Sequence, residues 1–238
     1  MSKMSQAIKE RPMLFSGSMV RALLDGRKTQ TRRIIKPQPE PIPSDPGKHW
    51  WACNNVQMMV GIEGELRDEP GMAGSFCPYG GPGDRLWVRE TFKIEPTPGC
   101  SFGDFMMGRK HSAIYKADDR RIDLSGEVVT GNGFVIDVGS EASDYPMEKY
   151  GAWRPSIHMP RWASRITLEI TDVRLERLNE ISPEDAKAEG VGNCGYAFPR
   201  GNHIDIESFA RLWESINGPG SWDINPWVWA LTFRKVES

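Results

Sequence analysis

The chain has little cysteine, and none of it is arranged in pairs. Its four cysteines, Cys53, Cys77, Cys100 and Cys194, include no CxxC pair, and no histidine stands at zinc-finger spacing from any of them. A zinc module is not expected, and no metal is assigned. Long apolar runs are also lacking, so no segment reads as a membrane span and no membrane partner is expected. Residues 1–12 carry charges where a secretory signal needs its apolar stretch, so the expected location is the cytoplasm, with reduced thiols. Charge of one sign is not in excess: 30 Lys and Arg stand against 32 Asp and Glu, a net charge of −2. That excludes a surface coated in positive charge, and any nucleic-acid contact has to come from a local patch. There is no internal repeat and no strand–helix alternation of the doubly wound kind.

What is present is a globular balance over 238 residues, with 39% hydrophobic and 26% charged. This is ample for a core without covalent staples. Abundant Gly and Pro (24 and 18 residues) favour a loop-rich β fold over a helical bundle. Nine Trp can serve either a core or a base-stacking surface.

Along the chain, Leu14-Phe15 reads as a short strand. Ser16 or Ser18 then caps a helix with Met19, Val20, Leu23 and Leu24 on its apolar face, which Gly26 stops. Pro37 to Lys48 reads as a Pro-rich surface loop or extended linker. The turn-dense Cys77 to Asp84 delivers the chain into a strand over 85–92, and 94–150 reads as an elaboration of hairpin and loops. A strand follows over 163–175. Ser182-Pro183-Glu184-Asp185 opens a short helix ending at Gly190. A second helix over 205–216 presents Phe209, Leu212, Trp213 and Ile216, and Trp227 to Phe233 is the closing strand.

Three features carry candidate chemistry. The run Gly26-Arg27-Lys28-Thr29-Gln30-Thr31-Arg32-Arg33 sets cations beside hydroxyls, which suits phosphate or activation of a hydroxyl; a solvated turn is the alternative. Between Trp153 and Arg165, Trp153, Arg154, His158, Arg161 and Trp162 interleave stacking faces with cations, as readers of single strands do. An entry loop with its Trp residues packed inward explains the same pattern. Glu189 ends the short helix at the negative end of its dipole, an unfavourable place unless a cation such as Lys28 faces it; the plainer reading is a surface Glu before a Gly cap.

Taken together these pieces resemble the ASCH branch of the PUA-like superfamily. The 26–33 run resembles its first signature, and Asp185-Ala186-Lys187-Ala188-Glu189-Gly190-Val191 resembles the second. Residues 82–90 and 154–163 resemble a subgroup common in phages and prophages. The resemblance covers about 13–36, 78–92, 153–191 and 205–235. It implies an α+β fold: one domain over 1–238, a PUA-like mixed β-barrel with short flanking helices and a large insertion at about 94–150. It further implies recognition of RNA or a modified nucleoside, with Arg27, Arg32 and Arg33 joining the Trp153–Trp162 stretch at nucleic acid, and no cofactor. Members described as hydrolysing N4-acetylcytidine use a Lys, a Thr three residues on and a later Glu. These carry over to Lys28 assisting deprotonation, Thr31 as nucleophile and Glu189 handling protons. Other members are described as ribonucleases or binders only, and the phage-like subgroup leaves an accessory role through protein contacts as a further alternative.

Overall fold

The computed structural model describes residues 8–53, 58–62, 67, 71–96, 111–123, 127–129, 135–137, 151–191 and 204–236. The class is α+β. Five strands form one mixed sheet: β1 (Glu10–Leu14), β2 (Gln30–Ile34), β6 (Arg85–Arg89), β12 (Thr167–Arg177) and β13 (Trp227–Val236). Their order is β1-β6-β12-β13-β2. The order has two ends, so among the described residues the sheet closes no barrel. All three strands expected around 84–92, 163–175 and 227–234 belong to it.

Local chemistry accounts for these elements. On β6, Leu86 and Val88 are buried while Arg85, Trp87 and Arg89 are half-buried, the alternation of a strand with one covered face. On β13, Trp227 to Leu231 are all buried, as suits an inner strand covered on both sides. Helix α1 (Gly17–Leu24) is capped by Ser16, whose Oγ accepts from Met19 N–H at 3.4 Å, and Gly26 follows at φ +73°.

By the density of its internal contacts the chain divides into two compact units. One comprises Met1–Arg11, Ala22–Leu86 and Leu168–Lys235; the other comprises Pro12–Arg21, Trp87–Thr167 and Val236–Ser238. In the first, β2 pairs antiparallel with β13, setting Thr31 opposite Leu231 and Arg33 opposite Trp229. Helices α3 (Pro183–Ala188) and α4 (Ile204–Asn217) bury Leu178, Ile181, Ala186, Phe209 and Trp213 against Val228. The same unit holds strands β3 (Glu40–Ile42), β4 (Asp45–Cys53) and β5 (Met58–Gly61), and helix α2 (Met72–Phe76). In the second unit, β7 (Phe92–Pro96), β8 (His111–Tyr115) and β9 (Arg121–Asp123) form a meander. Its core is Phe92, Ile94, Ala113 and Tyr115 with Met159 and Ala163. Two short strands, β10 (Glu127–Val129) and β11 (Val135–Asp137), pair beside it in sequence.

Three expectations need correction. Pro37 to Lys48 is not simply a loop: β3 and β4 form a hairpin there, with a register shift at Pro41/Ile42. Proline is tolerated in such short, irregular strands because a missing N–H costs little at a bulge or an edge. The strand over 85–92 breaks after Arg89 and resumes as β7. Ile216, expected on the buried face of α4, is 52% exposed. Of the expected 94–150 elaboration, residues 97–110, 124–126, 130–134 and 138–150 lie outside the described residues, as do Cys100 and Cys194. No helix among the described residues is long and apolar enough to cross a membrane.

Candidate functional site

Helix α3 begins where Ser182 Oγ accepts from Asp185 N–H at 3.0 Å, with Pro183 in the first turn. It ends at Glu189, whose backbone forms an antiparallel bridge with Lys28. Main-chain bonds pin Lys28 from two sides: its N–H donates to Ala22 O at 3.0 Å, and Thr29 N–H donates to Ala188 O at 2.8 Å. The Lys28 ammonium is thereby delivered onto Glu189. Nζ donates to Oε2 at 2.7 Å and to the Glu189 carbonyl at 2.8 Å. Both side chains are sealed, at 0% and 3% exposure.

Arg32 completes the cluster. Its guanidinium reaches Glu189 Oε1 at 3.1 Å, Glu176 Oε1 at 2.7 Å through Nε, and Asp185 Oδ2 at 3.0 Å, with none of the side chain exposed. Asp185 also accepts from Gln30 Nε2 at 2.8 Å and Arg174 Nη2 at 2.7 Å. Three cations (Lys28, Arg32, Arg174) therefore meet three carboxylates (Glu176, Asp185, Glu189), with Asp172 3.9 Å from Arg174 at the edge.

The electrostatics follow from burial. Desolvation pushes the Lys28 ammonium below its ordinary pKa, outweighing the attraction of Glu189. Burial likewise lowers Arg33, against the pull of Tyr79 and Glu189, and raises the Tyr79 phenol. Asp185 goes the other way. Burial raises it, but the Gln30 hydrogen bond and the Arg174 and Arg32 charges win and hold it below the ordinary carboxylate range. Burial opposes the charge on Arg32 too, yet Glu176 and Glu189 keep it raised.

Thr31 is buried on β2. Strand alternation puts it and Arg33 on the face opposite Gln30 and Arg32. Arg27 is exposed, donating to Gly190 O at 3.2 Å and pairing with Asp25 at 2.9 Å. Arg32, expected at nucleic acid, is filled by carboxylates and acts instead as the brace that holds Glu189.

The Trp153–Trp162 stretch lies in the second unit and splits between surface and core. Trp153 is 40% exposed, with Lys93 Nζ at 5.1 Å and Lys116 Nζ at 5.9 Å from its ring centroid. His158 is exposed at the end of a 3₁₀ turn. Arg154 forms a backbone bridge with Phe92, Arg161 sits 5.9 Å from the Trp87 ring, and Trp162 packs against the Phe92 cluster.

Sequence reasoning missed Gln30, Arg174, Glu176 and Asp185 as site residues. A signal was there: Lys28, Gln30 and Arg32 recur with period two, as do Arg174 and Glu176, which is how polar residues share one face of a strand. Arg165, the third arginine of the 153–165 stretch, is not free for bases: in the second unit it grips Glu90 with two bonds of 2.8 and 2.9 Å, pairs with Asp118 and lies over Tyr115. Among the described residues, no three His, Cys, Asp or Glu side chains are grouped to hold a metal ion.

No family model matches the chain, and no curated protein matches it. A solved structure, protein EF3133 from Enterococcus faecalis V583, family DUF984, is similar over 98% of this chain and 84% of its own, with 10% identity and a TM-score of 0.35.

Proposed function

We propose that the chain recognises RNA or a modified nucleoside, that its mixed sheet is the core of a PUA-like fold of the ASCH kind, and that the Lys28–Glu189 pair is the polar floor of the recognition site. The observation that carries this reading is the sealed Lys28–Glu189 contact braced by Arg32. Sealed ion pairs cost desolvation and are commonly replaceable by apolar packing without loss of stability, so their retention favours a functional role.

A second reading, amide hydrolysis of an N4-acylated cytidine, is supported by the lowered Lys28 and the Thr three residues on in sequence, while the strand alternation that turns Thr31 away from Arg32 counts against it. In that reaction Thr31 Oγ forms a bond to the acyl carbon as its proton leaves with help from Lys28. The carbon–N4 bond breaks, N4 takes a proton through Glu189, and water releases the acid from Thr31. Incubation with N4-acetylcytidine, followed by chromatography for cytidine and acetate, separates the two readings. Turnover lost in Lys28→Ala and Glu189→Gln and insensitive to EDTA supports hydrolysis. Absence of turnover with nucleoside or RNA binding that weakens in the same variants supports recognition alone. If neither turnover nor binding depends on Lys28, both readings fall.

A further inference from the structure

We infer that a second site in the same unit, a cavity of about 490 Å³ walled by Lys9, Arg11, Arg85 and the glycine-rich turn 80–83, binds a phosphate group carried as a monoester or a diester. None of these residues belongs to the Lys28–Glu189 network. The volume falls in the range of small-ligand clefts.

The polar groups of the wall divide into those already spent and those still open. The acids are spent. Asp84 Oδ1 accepts from Lys9 N–H at 3.0 Å, and Oδ2 accepts from Gly81 N–H at 3.2 Å and Arg11 Nη1 at 3.4 Å. Glu169 takes Arg234 Nη2 on both oxygens, at 3.1 and 3.0 Å. A cation entering the cavity would therefore find its carboxylates engaged.

Of the donors, Arg11 is engaged by Asp84, but Arg85 and Lys9 are not held at hydrogen-bonding distance by any carboxylate among the described residues. Arg85 Nε is buried with no hydrogen-bond partner, and Arg85 Nη1 stands 3.9 Å from Glu10 Oε1, beyond hydrogen-bonding distance. Among the described residues the Lys9 ammonium has no carboxylate within ion-pairing reach. The Arg85 side chain is partly exposed and Lys9 is exposed, so a guanidinium and an ammonium at the wall are open to a ligand bearing several acceptor oxygens. An apolar ligand would leave them as they are.

The turn is built to keep this wall bare. Gly80 has a φ of +109°, and a Cβ there would stand 2.7 Å from Asp84 Oδ2 and 2.8 Å from Arg11 Nη1. Only glycine lets the guanidinium lie against the backbone at the cavity wall. A planar guanidinium, a second one beside it and a flexible ammonium are the donor set that phosphate recognition uses.

Calorimetric titration of the full chain at low salt tests the site, with inorganic phosphate, cytidine 5′-monophosphate and a short single-stranded RNA as probes and cytidine as the phosphate-free control. The phosphate-bearing probes are expected to compete for one site, and Lys9→Glu or Arg85→Gln should each weaken them by about tenfold or more. Tightest binding of the mononucleotide identifies a monoester as the natural source; tightest binding of the RNA, with a steep salt dependence, identifies a diester. The exposed Lys9→Glu variant keeps the test valid if Arg85→Gln melts early. Phosphate-bearing probes that do not bind at millimolar concentration, or that bind both variants as they bind the parent chain, overturn the inference.

Discussion

Gly190 presses its backbone onto Lys28: a Cβ built on Gly190 would lie 2.8 Å from Lys28 Cβ and 2.9 Å from Ala22 Cβ, at a φ of +80°. The residue that ends the α3 turn is thus also the residue that lets Lys28 close on Glu189. Gly190→Ala adds a methyl group where there is no room and imposes left-handed backbone on a residue that resists it. Chemical denaturation should show a loss of about 2–4 kcal/mol. An unchanged denaturation midpoint would mean that this contact does not position Lys28.

The Lys28–Glu189 pair should behave as a coupled unit. Lys28→Met leaves the Glu189 carboxylate without its ammonium, and Glu189→Leu leaves a sealed ammonium without that carboxylate. Each single change should cost about 2–4 kcal/mol, while the double variant should cost clearly less than the sum. A double-mutant cycle with additive losses would show that the two charges do not depend on one another.

The acid limb of stability should depend on Asp185. Its folded pKa lies below the ordinary 3.8. Between those two values the unfolded chain binds more protons than the folded one, so the stability Asp185 contributes is present above pH 3.8 and lost as pH falls through its folded value. Asp185→Asn should flatten that part of the stability–pH curve. Lys28 gives the mirror case at high pH. Its folded pKa is below 10.5, so folding gains stability as pH climbs from the folded value towards 10.5, and Lys28→Met should remove that rise.

The two tryptophans of the 153–162 stretch should part company. Trp153 is exposed between Lys93 and Lys116, so Trp153→Ala should shift stability by no more than about 0.5 kcal/mol. On the proposed function it should also weaken single-stranded RNA more than duplex in an anisotropy titration. Trp162 packs against the meander core, and Trp162→Ala should cost about 2 kcal/mol or more in thermal or chemical unfolding. The reverse ranking would mean that Trp162, not Trp153, is the stacking surface.

Local pattern by itself determined three helices, α1, α3 and α4, and the long strands β6, β12 and β13, but not α2 or the hairpin strands β3 to β5. Ser16, Ser182 and Pro183 start helices through short-range hydrogen bonds and a preset φ, alternation marks β6 and β12, and an apolar run marks β13, because these signals act within a few residues of chain. The possibility that Lys28 answers Glu189 was also readable, since a carboxylate at a helix C-terminus begs for a cation. Three-dimensional packing decided the rest. That Arg32 is spent on Glu176, Asp185 and Glu189, and is therefore a brace, depends on β12 and α3 arriving beside β2 from more than a hundred residues away. That Trp153 lies open while Trp162 is packed, and that Pro37 to Lys48 is hairpin and not loop, depend equally on what folds against each. Charge and hydrophobicity say which residues need company; only the folded chain says who supplies it, because burial is a property of neighbours and not of the residue itself.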